Sequence, residues 1–207
     1  MSNVDEKPRT QMSGELPKVY LARHGETAWS LSGQHTGRTD IPLTERGEHA
    51  ARELGARLRG VSFTKVLTSP LQRARRTGVL AGFDERMEPD PDLMEWDYGD
   101  YEGRRTLDIR AERPGWRLFE DGCPGGETLV EVATRADRAI DRIHALESDV
   151  LVFAHGHLLR ILMARWIALP ALEARRLYLE TASLSVLGYD HDLDDPVIRL
   201  LNDASHA

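Results

Sequence analysis

The chain has 207 residues, of which 41% are hydrophobic and 29% charged, a composition typical of one globular domain. Lysine and arginine total 27 against 34 acidic residues, so the net charge of -7 disfavours non-specific binding of nucleic acid. No run approaches the roughly eighteen consecutive apolar residues that a membrane span requires. These features favour a cytoplasmic globular protein without a nucleic-acid or membrane partner.

We expect residues 1–17 to form a flexible tail and residues 18–207 to form a single domain. The first segment is polar, carries Pro8 and Gly14, and lacks the apolar core of a signal peptide. Cys123 is the only cysteine, which excludes an internal disulfide and is typical of a reducing compartment. It lies in a loop rich in glycine and proline without an adjacent basic residue, so we interpret it as a structural thiol.

The first predicted strand begins at Val19 and ends in Arg23 and His24, followed by Gly25. Ligands of open α/β sheets bind where the strands end at their carboxyl edge, which is where these two side chains would lie. The segment is equally compatible with a strand that runs into a polar turn with His24 on the surface. Residues 25–43 then form a loop long enough to suggest a functional role.

A helix is predicted after Thr44, which suits the N-cap position, and a second strand covers Lys65 to Thr68. The next helix is predicted to begin at Ser69 as N-cap and to end near Gly82. Pro70 suits its first position and Gln72 would complete a capping box, which places Arg73 in the first turn.

The second half of the chain begins with an irregular segment around Glu95 that is dense in acidic and aromatic residues. The elements predicted after it are a short helix over 106–111, a helix from the capping box of Thr128 and Glu131 to Leu146, a strand over 149–154, a helix over 158–169, and closing strands over 182–189 and 197–201. Strands alternating with helices predict a three-layer α/β/α sandwich with a mostly parallel central sheet.

Four basic side chains are predicted to converge at the carboxyl edge of this sheet: Arg23, His24, Arg73 and His155. Arginine forks suit phosphate oxygens, and a helix that starts near Gly156 would add backbone donors. The pattern therefore predicts a site for a dianion such as a phosphoryl group. A neutral imidazole can attack phosphorus, and Glu95, which lies in a loop between Met94 and Trp96, is our candidate proton source.

Four motifs in this order resemble the histidine phosphatase superfamily, which includes cofactor-dependent phosphoglycerate mutases and many small phosphatases. They are Arg23-His24-Gly25-Glu26-Thr27, Thr68-Ser69-Pro70 through Arg73-Ala74 with Thr77, the Glu95 segment, and Ala154-His155-Gly156-His157. The resemblance spans roughly residues 18–190 and implies a phosphoglycerate mutase-like fold.

The resemblance implies that His24 is the phosphorylated nucleophile and that Glu95 is the general acid and then the base. It also implies that the catalytic residue His155 holds the phosphoryl oxygens together with Arg23 and Arg73. It implies no metal ligand. The residues expected to contact phosphate or substrate are Arg23, Arg73, Ser30, Thr36, Gly37, Tyr98, Gly156 and Arg104. Ser30 stands where the family usually has asparagine. His157 stands where mutases commonly have asparagine, and we interpret it as a helix-start residue that packs on the loop rather than as a catalytic residue. Arg104 is compatible either with a second anionic group of the substrate or with a solvated charged pair.

Two enzyme interpretations of this resemblance differ in the fate of the phosphoryl group. Glu95-Trp96-Asp97-Tyr98-Gly99 and the short, charge-balanced stretch 106–125 favour a phosphatase similar to acid phosphatases and sugar bisphosphatases. The runner-up is a phosphoglycerate mutase, and only this alternative requires a cofactor, 2,3-bisphosphoglycerate. The partner implied is a small phosphorylated substrate, and the oligomeric state stays open, with a homodimer among the alternatives.

Two further alternatives belong to other classes of protein. His155-x-His157 has the spacing of metal ligands, which would suit a metal-dependent hydrolase, although Arg23 and Arg73 would repel a cation. The other alternative is a phospho-ligand binding protein without catalytic activity.

Overall fold

A computed structural model describes residues 15–205 of the protein. Residues 1–14, which make up most of the predicted tail, lie outside the described range. The strands are β1 (Val19–Arg23), β2 (Lys65–Thr68), β3 (Met87–Pro89), β4 (Val150–Ala154), β5 (Leu184–Tyr189) and β6 (Pro196–Asp203). The α-helices are α1 (Ala28–Ser32), α2 (Glu45–Arg57), α3 (Gln72–Leu80), α4 (Thr106–Glu112), α5 (Leu118–Asp121), α6 (Leu129–His144) and α7 (Gly156–Trp166).

The six strands form one sheet in the order β3-β2-β4-β1-β5-β6. β3, β2, β4 and β1 are parallel to one another, whereas β5 is antiparallel to both of its neighbours. β1 and β6, the first and last of these strands, therefore belong to the same sheet and are separated by β5. None of the helices within residues 15–205 is long and apolar enough to cross a membrane.

The side chains of β4 divide between two hydrophobic cores, one on each face of the sheet. Val150, Val152 and Ala154 belong to the core built with α6 and α7. Leu151 and Phe153 belong to the core that contains Leu54 of α2, Phe63 and Phe83. Because side chains alternate along a strand, a continuous apolar run such as β4 has to be covered on both faces. The predicted three-layer α/β/α sandwich with a mostly parallel sheet is confirmed.

The carboxyl ends of β1, β2 and β4 lie at nearly the same level of the sheet. Arg23 pairs with Ala154, and Thr68 pairs with Phe153. The backbone N–H of His24 donates to Ala154 at 3.0 Å, and that of Ser69 donates to Phe153 at 2.9 Å. The residue that follows each strand therefore emerges at a common point, which brings His24, Ser69 and His155 together.

Several predicted helix ends are confirmed, but the start of α3 is not where the sequence pattern placed it. Thr44 caps α2, and Thr128 and Glu131 form the predicted capping box of α6. Ser69 is not the N-cap of α3, since the helix begins at Gln72 and Leu71 occupies that position without a side-chain cap. The Ser69 hydroxyl lies instead within hydrogen-bonding distance of the His155 ring. The short elements α1, α5 and β3 were not predicted.

Arg135 of α6 fixes the segment on either side of Glu95. Its guanidinium forms a bidentate ion pair with Glu127, at 2.8 and 3.0 Å, and donates to the backbone carbonyls of Asp92 and Met94. Glu127 in turn accepts the backbone N–H of Asp97 at 2.9 Å. The ion pair of Arg135 and Glu127 thus connects α6 to the backbone on both sides of Glu95.

Replacing Arg135 with methionine is expected to lower the free energy of unfolding by about 2 kcal/mol or more, because the largely buried Glu127 would keep only the more distant Arg38, at 3.5 Å, as a cationic partner. Urea denaturation monitored by circular dichroism measures this change.

Arg138→Met is the matched control on the same helix, since the Arg138 side chain is 55% exposed and that of Arg135 only 6%. The surface pair between Arg138 and Asp92 should contribute less than about 1 kcal/mol. Equal losses in the two variants would contradict the special role of Arg135.

Candidate active site

His24 lies just beyond β1 with its ring almost fully buried, at 4% exposure. Its Nδ1 is 2.7 Å from the carbonyl oxygen of Gly25. A carbonyl only accepts, so the neutral ring carries its proton on Nδ1 and keeps the lone pair of Nε2 available. The ring is therefore held in the tautomer that a nucleophilic Nε2 requires.

The backbone after His24 is fixed from two sides. The N–H of Gly25 donates to the Thr77 hydroxyl at 3.0 Å, and this hydroxyl donates to the carbonyl of Arg73 at 2.8 Å. On the other side, a Cβ at position 25 would lie 2.4 Å from the carbonyl oxygen of Gly47 in α2. Any side chain at position 25 would therefore push α2 away from the loop that orients His24.

Arg73 is completely buried and joins three parts of the site. Its Nε donates to Nδ1 of His155 at 3.1 Å, and its terminal nitrogens donate to the carbonyls of Thr36 and Gly37 at 3.0 and 2.8 Å and of Thr39 at 3.0 Å. A Cβ on Gly37 would lie 2.3 Å from the backbone carbonyl oxygen of Trp96, so only glycine allows this packing. Arg73 thus holds the 36–39 loop against the end of β4.

His155 is fully buried beside His24, with 5.2 Å between the two ring centroids. Because its Nδ1 accepts from Arg73, the neutral ring carries its proton on Nε2, which donates to the Ser69 hydroxyl at 2.7 Å. The two histidines therefore adopt opposite tautomers.

Burial and positive charge keep both histidines neutral. Burial is the larger cause of a His24 pKa well below its ordinary value, and the charges of Arg73 and Arg23 add to it. Burial likewise holds the pKa of His155 well below the ordinary value, with Arg73 as the next cause. A cluster of cations around an uncharged imidazole is suited to an electron-rich, anionic reaction partner.

Arg23 has a buried donor without a protein partner. Its terminal nitrogen donates to the carbonyl of Leu179 at 2.5 Å, while Nε has no hydrogen-bond partner within residues 15–205. A Cβ at Gly156 would come within 3.3 Å of this Nε, so the glycine at the start of α7 lets the guanidinium approach the helix closely. An anion is the natural partner of an unsatisfied buried guanidinium donor.

The Glu95 carboxylate lies at the amino end of α7. Oε1 accepts the backbone N–H groups of Trp96 and Leu158, both at 2.9 Å, and Oε2 accepts that of His157 at 3.0 Å. Within the described part of the chain Oε2 accepts only this one bond, so it keeps a lone pair that can take up a proton.

Tyr98 reaches the same helix through the side chain of His157. Its hydroxyl is 2.6 Å from Nδ1 of His157. Burial raises the pKa of Tyr98 well above its ordinary value and holds that of His157 well below its own. The tyrosine therefore stays protonated and donates to a neutral imidazole, which agrees with the interpretation of His157 as a helix-start residue that packs on the loop.

Two predicted contact residues are engaged elsewhere. The Ser30 hydroxyl and backbone N–H form a reciprocal capping box with Thr27 at the start of α1. Arg104 pairs with Glu112 at 2.5 Å and lies over the ring of Tyr101. Neither side chain is joined by a hydrogen bond to the cluster around His24.

Three residues that contribute to the site were not predicted to do so from their sequence positions. Thr77 was recognised only as part of a motif, and Ser69 only as part of the same motif and as a helix cap. The place of Ser69 after β2 nevertheless indicates that it lies beside the residues that follow β1 and β4. Glu102 accepts the backbone N–H groups of Arg38 and Thr39 and so orders the loop that Arg73 holds. No local pattern indicates this long-range contact of Glu102.

The His155-x-His157 pair does not form a metal site in this arrangement. Both ring nitrogens of His155 are hydrogen-bonded, and Nδ1 of His157 is bonded to Tyr98. Within residues 15–205, the group of side chains spaced to hold a metal ion is the exposed set Asp190, His191 and Asp195 between β5 and β6.

Comparison with known proteins gives a family match over nearly the whole described chain. The profile of the histidine phosphatase superfamily (branch 1) matches residues 19–204. The chain is 41% identical over 179 residues to an acid phosphatase of Mycobacterium tuberculosis, a match that covers 84% of this chain and 87% of the relative. It is 40% identical over 191 residues to the sedoheptulose 1,7-bisphosphatase of Saccharomyces cerevisiae, covering 76% and 70%. It is 37% identical over 186 residues to a probable phosphoglycerate mutase GpmB of Photorhabdus laumondii, covering 84% and 86%.

Solved structures show the same relationship. The structure of the Rv3214 protein of Mycobacterium tuberculosis superposes with a TM-score of 0.82 at 37% identity, over 90% of this chain and 97% of that one.

The tautomers of the two central histidines can be measured directly. Long-range ¹H–¹⁵N correlation spectra at about pH 6, below the ordinary histidine pKa, should show both rings neutral because both pKa values are lowered. His24 should be protonated on Nδ1 and His155 on Nε2. Assignment comes from His24→Gln and His155→Gln, each of which removes one set of signals. A protonated or Nε2–H form of His24 would contradict the geometry.

Proposed function

The chain belongs to the histidine phosphatase superfamily, and we propose that it hydrolyses a small phosphorylated metabolite through a phosphohistidine on His24. The observation that carries the proposal is the hydrogen bond from Nδ1 of His24 to Gly25, which leaves Nε2 as an unprotonated nucleophile among the cations Arg23 and Arg73. The family match and the phosphatase relatives support the same reaction.

In the first step, Nε2 of His24 attacks phosphorus and forms an N–P bond while the ester P–O bond breaks. Arg23 is well suited to bind the phosphoryl oxygens through its unsatisfied Nε, since bidentate guanidinium contacts match phosphate geometry. Arg73 supplies a fixed positive charge, and His155 supports this arrangement beside the nucleophile. Positioning and charge carry most of such a transfer, because the protein has little covalent chemistry to perform.

The leaving alkoxide needs a proton, and we assign its delivery to Glu95. In the second step the Glu95 carboxylate accepts a proton from water, the water oxygen forms a bond to phosphorus, and the N–P bond breaks to release phosphate and restore His24. The bond from His157 to Oε2 keeps the carboxyl group at the amino end of α7 throughout. No metal or other cofactor takes part in either step of this proposal.

Loop residues complete the proposed phosphate site. Thr36 and Gly37 are held in place by Arg73 through their carbonyls, Gly156 begins α7 beside Arg23, and Tyr98 acts through His157. We further propose that residues 18–207 form a single domain and that the protein works in the cytoplasm.

Phosphatase activity is favoured over mutase activity by the segment that follows the Glu95 loop. This segment contains only the short helices α4 and α5, and its carboxylates pair with two arginines, in Arg105–Asp108 and Arg117–Glu120. A mutase has to retain a doubly phosphorylated intermediate and exclude water from the phosphohistidine. Phosphoglycerate mutase, which would need 2,3-bisphosphoglycerate, is the second candidate because a probable mutase is among the relatives.

His24→Ala should lower kcat for p-nitrophenyl phosphate by about a thousandfold or more, because the covalent route is lost. It should also abolish acid-labile ³²P labelling of the protein in a rapid-quench experiment. His49→Ala, on the exposed surface of α2, is the matched control and should retain both activities. Unchanged phosphate release by His24→Ala would contradict the proposed nucleophile.

Glu95→Gln should slow esters with poor leaving groups by about a hundredfold or more, since the side chain can no longer donate a proton. Because p-nitrophenolate leaves without protonation, its release should fall much less in a single-turnover burst. Equal losses for both classes of ester would contradict the role of Glu95 as general acid.

Incubation with 3-phosphoglycerate and 2,3-bisphosphoglycerate separates the two enzyme activities. We expect free phosphate to accumulate without rapid formation of 2-phosphoglycerate. ³¹P NMR measures both products. Addition of EDTA should leave the rate unchanged. Rapid isomerisation without phosphate release would show a mutase, and complete loss of activity in EDTA would show a metal-dependent hydrolase.

A further inference from the structure

A cavity of about 300 Å³ lies next to the proposed catalytic centre. Four arginine side chains line it, namely Arg110, Arg117, Arg160 and Arg175, and we refer to it as the arginine cavity. The aromatic rings of Trp116 and Phe119 contribute to its walls.

The arginine cavity shares two walls with the catalytic centre. His157 lines the cavity, and its backbone N–H donates to Glu95. His35 lines it as well, and the next residue, Thr36, is held by Arg73. A substrate whose phosphoryl group lies at His24 and whose leaving oxygen lies at Glu95 would therefore extend its remaining atoms toward the cavity.

The cavity concentrates positive charge in a chain whose net charge is -7. Glu120 is the carboxylate that lines it, and it pairs with both Arg117 and Arg175. Arg110 and Arg160 use Nε to donate to the carbonyls of Trp116 and Ala174, at 2.9 and 3.0 Å. Within residues 15–205 neither of these two arginines pairs with a carboxylate, so their terminal nitrogens keep the capacity to bind an anion.

Arg160 shows most clearly that the charge is placed for a ligand. Its guanidinium lies over the ring of Phe119 at 4.9 Å, and burial lowers its pKa. The charge of Glu95 offsets the cost of desolvation only in part, so an anion bound to Arg160 would stabilise the guanidinium further. The stacking and the carbonyl contact fix the side chain while leaving its terminal nitrogens free for such an anion.

We propose that the arginine cavity binds a second anionic group of the substrate, with Arg110 and Arg160 as the residues that contact it. The substrate is then a phosphate ester whose leaving alcohol carries another phosphate or a carboxylate, rather than a neutral alcohol. This inference rests on the proposed function, because that function places the leaving group beside Glu95. It also replaces Arg104, which is paired with Glu112, as the residue expected to meet a second anion.

The test uses α,ω-alkanediol bisphosphates of increasing chain length and the corresponding monophosphates. Binding is measured by titration calorimetry on the full-length His24→Ala protein, so that no turnover interferes. At the best chain length the bisphosphate should bind about tenfold more tightly than its monophosphate, which corresponds to about 1.4 kcal/mol. A parallel series with a terminal carboxylate in place of the second phosphate distinguishes the two anions.

Arg110→Gln and Arg160→Gln should each remove most of this tenfold preference while leaving monophosphate binding within about twofold. Arg59→Gln is the matched control, because Arg59 is also exposed and has no carboxylate partner within the described residues. Glu120→Gln should change affinity in the opposite direction and tighten bisphosphate binding, since it releases Arg117 and Arg175 from their carboxylate. Arg160→Lys retains the charge and should keep part of the preference. Arg110 lies on the exposed surface, so Arg110→Gln tests the proposal even where Arg160→Gln does not fold.

Two results would overturn the inference. One is that no bisphosphate or phosphocarboxylate of any length binds more tightly than its monophosphate. The other is that the preference survives in the Arg110→Gln/Arg160→Gln double variant with native circular dichroism. Failure of the proposed function is a separate result, namely absence of phosphate release from every ester by the wild-type enzyme, and it would leave the calorimetric preference intact.

Discussion

The buried guanidinium of Arg73 is the interaction on which the rest of the site depends. Burying an unpaired charge costs several kcal/mol even after relaxation, so its N–H groups have to be satisfied. Here the partners are one imidazole nitrogen and three backbone carbonyls, all uncharged. They satisfy the hydrogen bonds without neutralising the charge. The positive charge that remains contributes to the lowered pKa of His24 and favours an anion beside it. One side chain therefore prepares both the proposed nucleophile and the binding of its anionic target.

The convergence of His24 and His155 could be predicted because it follows from strand pairing alone. Parallel neighbours that end in register bring the next residue of each to one point, and β1 and β4 are such neighbours. The same reasoning places Ser69 there, but its sequence context resembles a helix cap and suggested another role. A helix cap and a contact with a distant residue would use the same Ser69 hydroxyl, and here this hydroxyl is hydrogen-bonded to the ring of His155. Ser30 shows the opposite outcome, because its capping box with Thr27 binds the hydroxyl locally.

The contacts of the 95–126 segment could not be predicted, because they depend on partners far away in the chain. Glu95 meets the amino end of α7 more than sixty residues later, and the pair of Arg135 and Glu127 fixes the backbone on both sides of it. The arginine cavity likewise draws its lining from α4, α5, α7 and the 171–176 segment. Composition showed only that this stretch has balanced charge, whereas the fold leaves its Arg110 without a carboxylate partner within the described residues and places it on the same cavity as Arg160 of α7.

The centre around His24 cannot by itself distinguish hydrolysis from transfer to a second substrate position. Both reactions form the same phosphohistidine and need the same cations, so their difference has to arise where water and the leaving group compete for the space beside Glu95. A cavity that holds a second anion orients the leaving alcohol, and it also slows departure of that alcohol in proportion to the tightness of its binding. Glu120 already occupies two of the four arginines. If the cavity binds a second anion as proposed, Glu120 limits the affinity for it and thereby favours release of the dephosphorylated alcohol and entry of water, which is the order of events that a phosphatase requires.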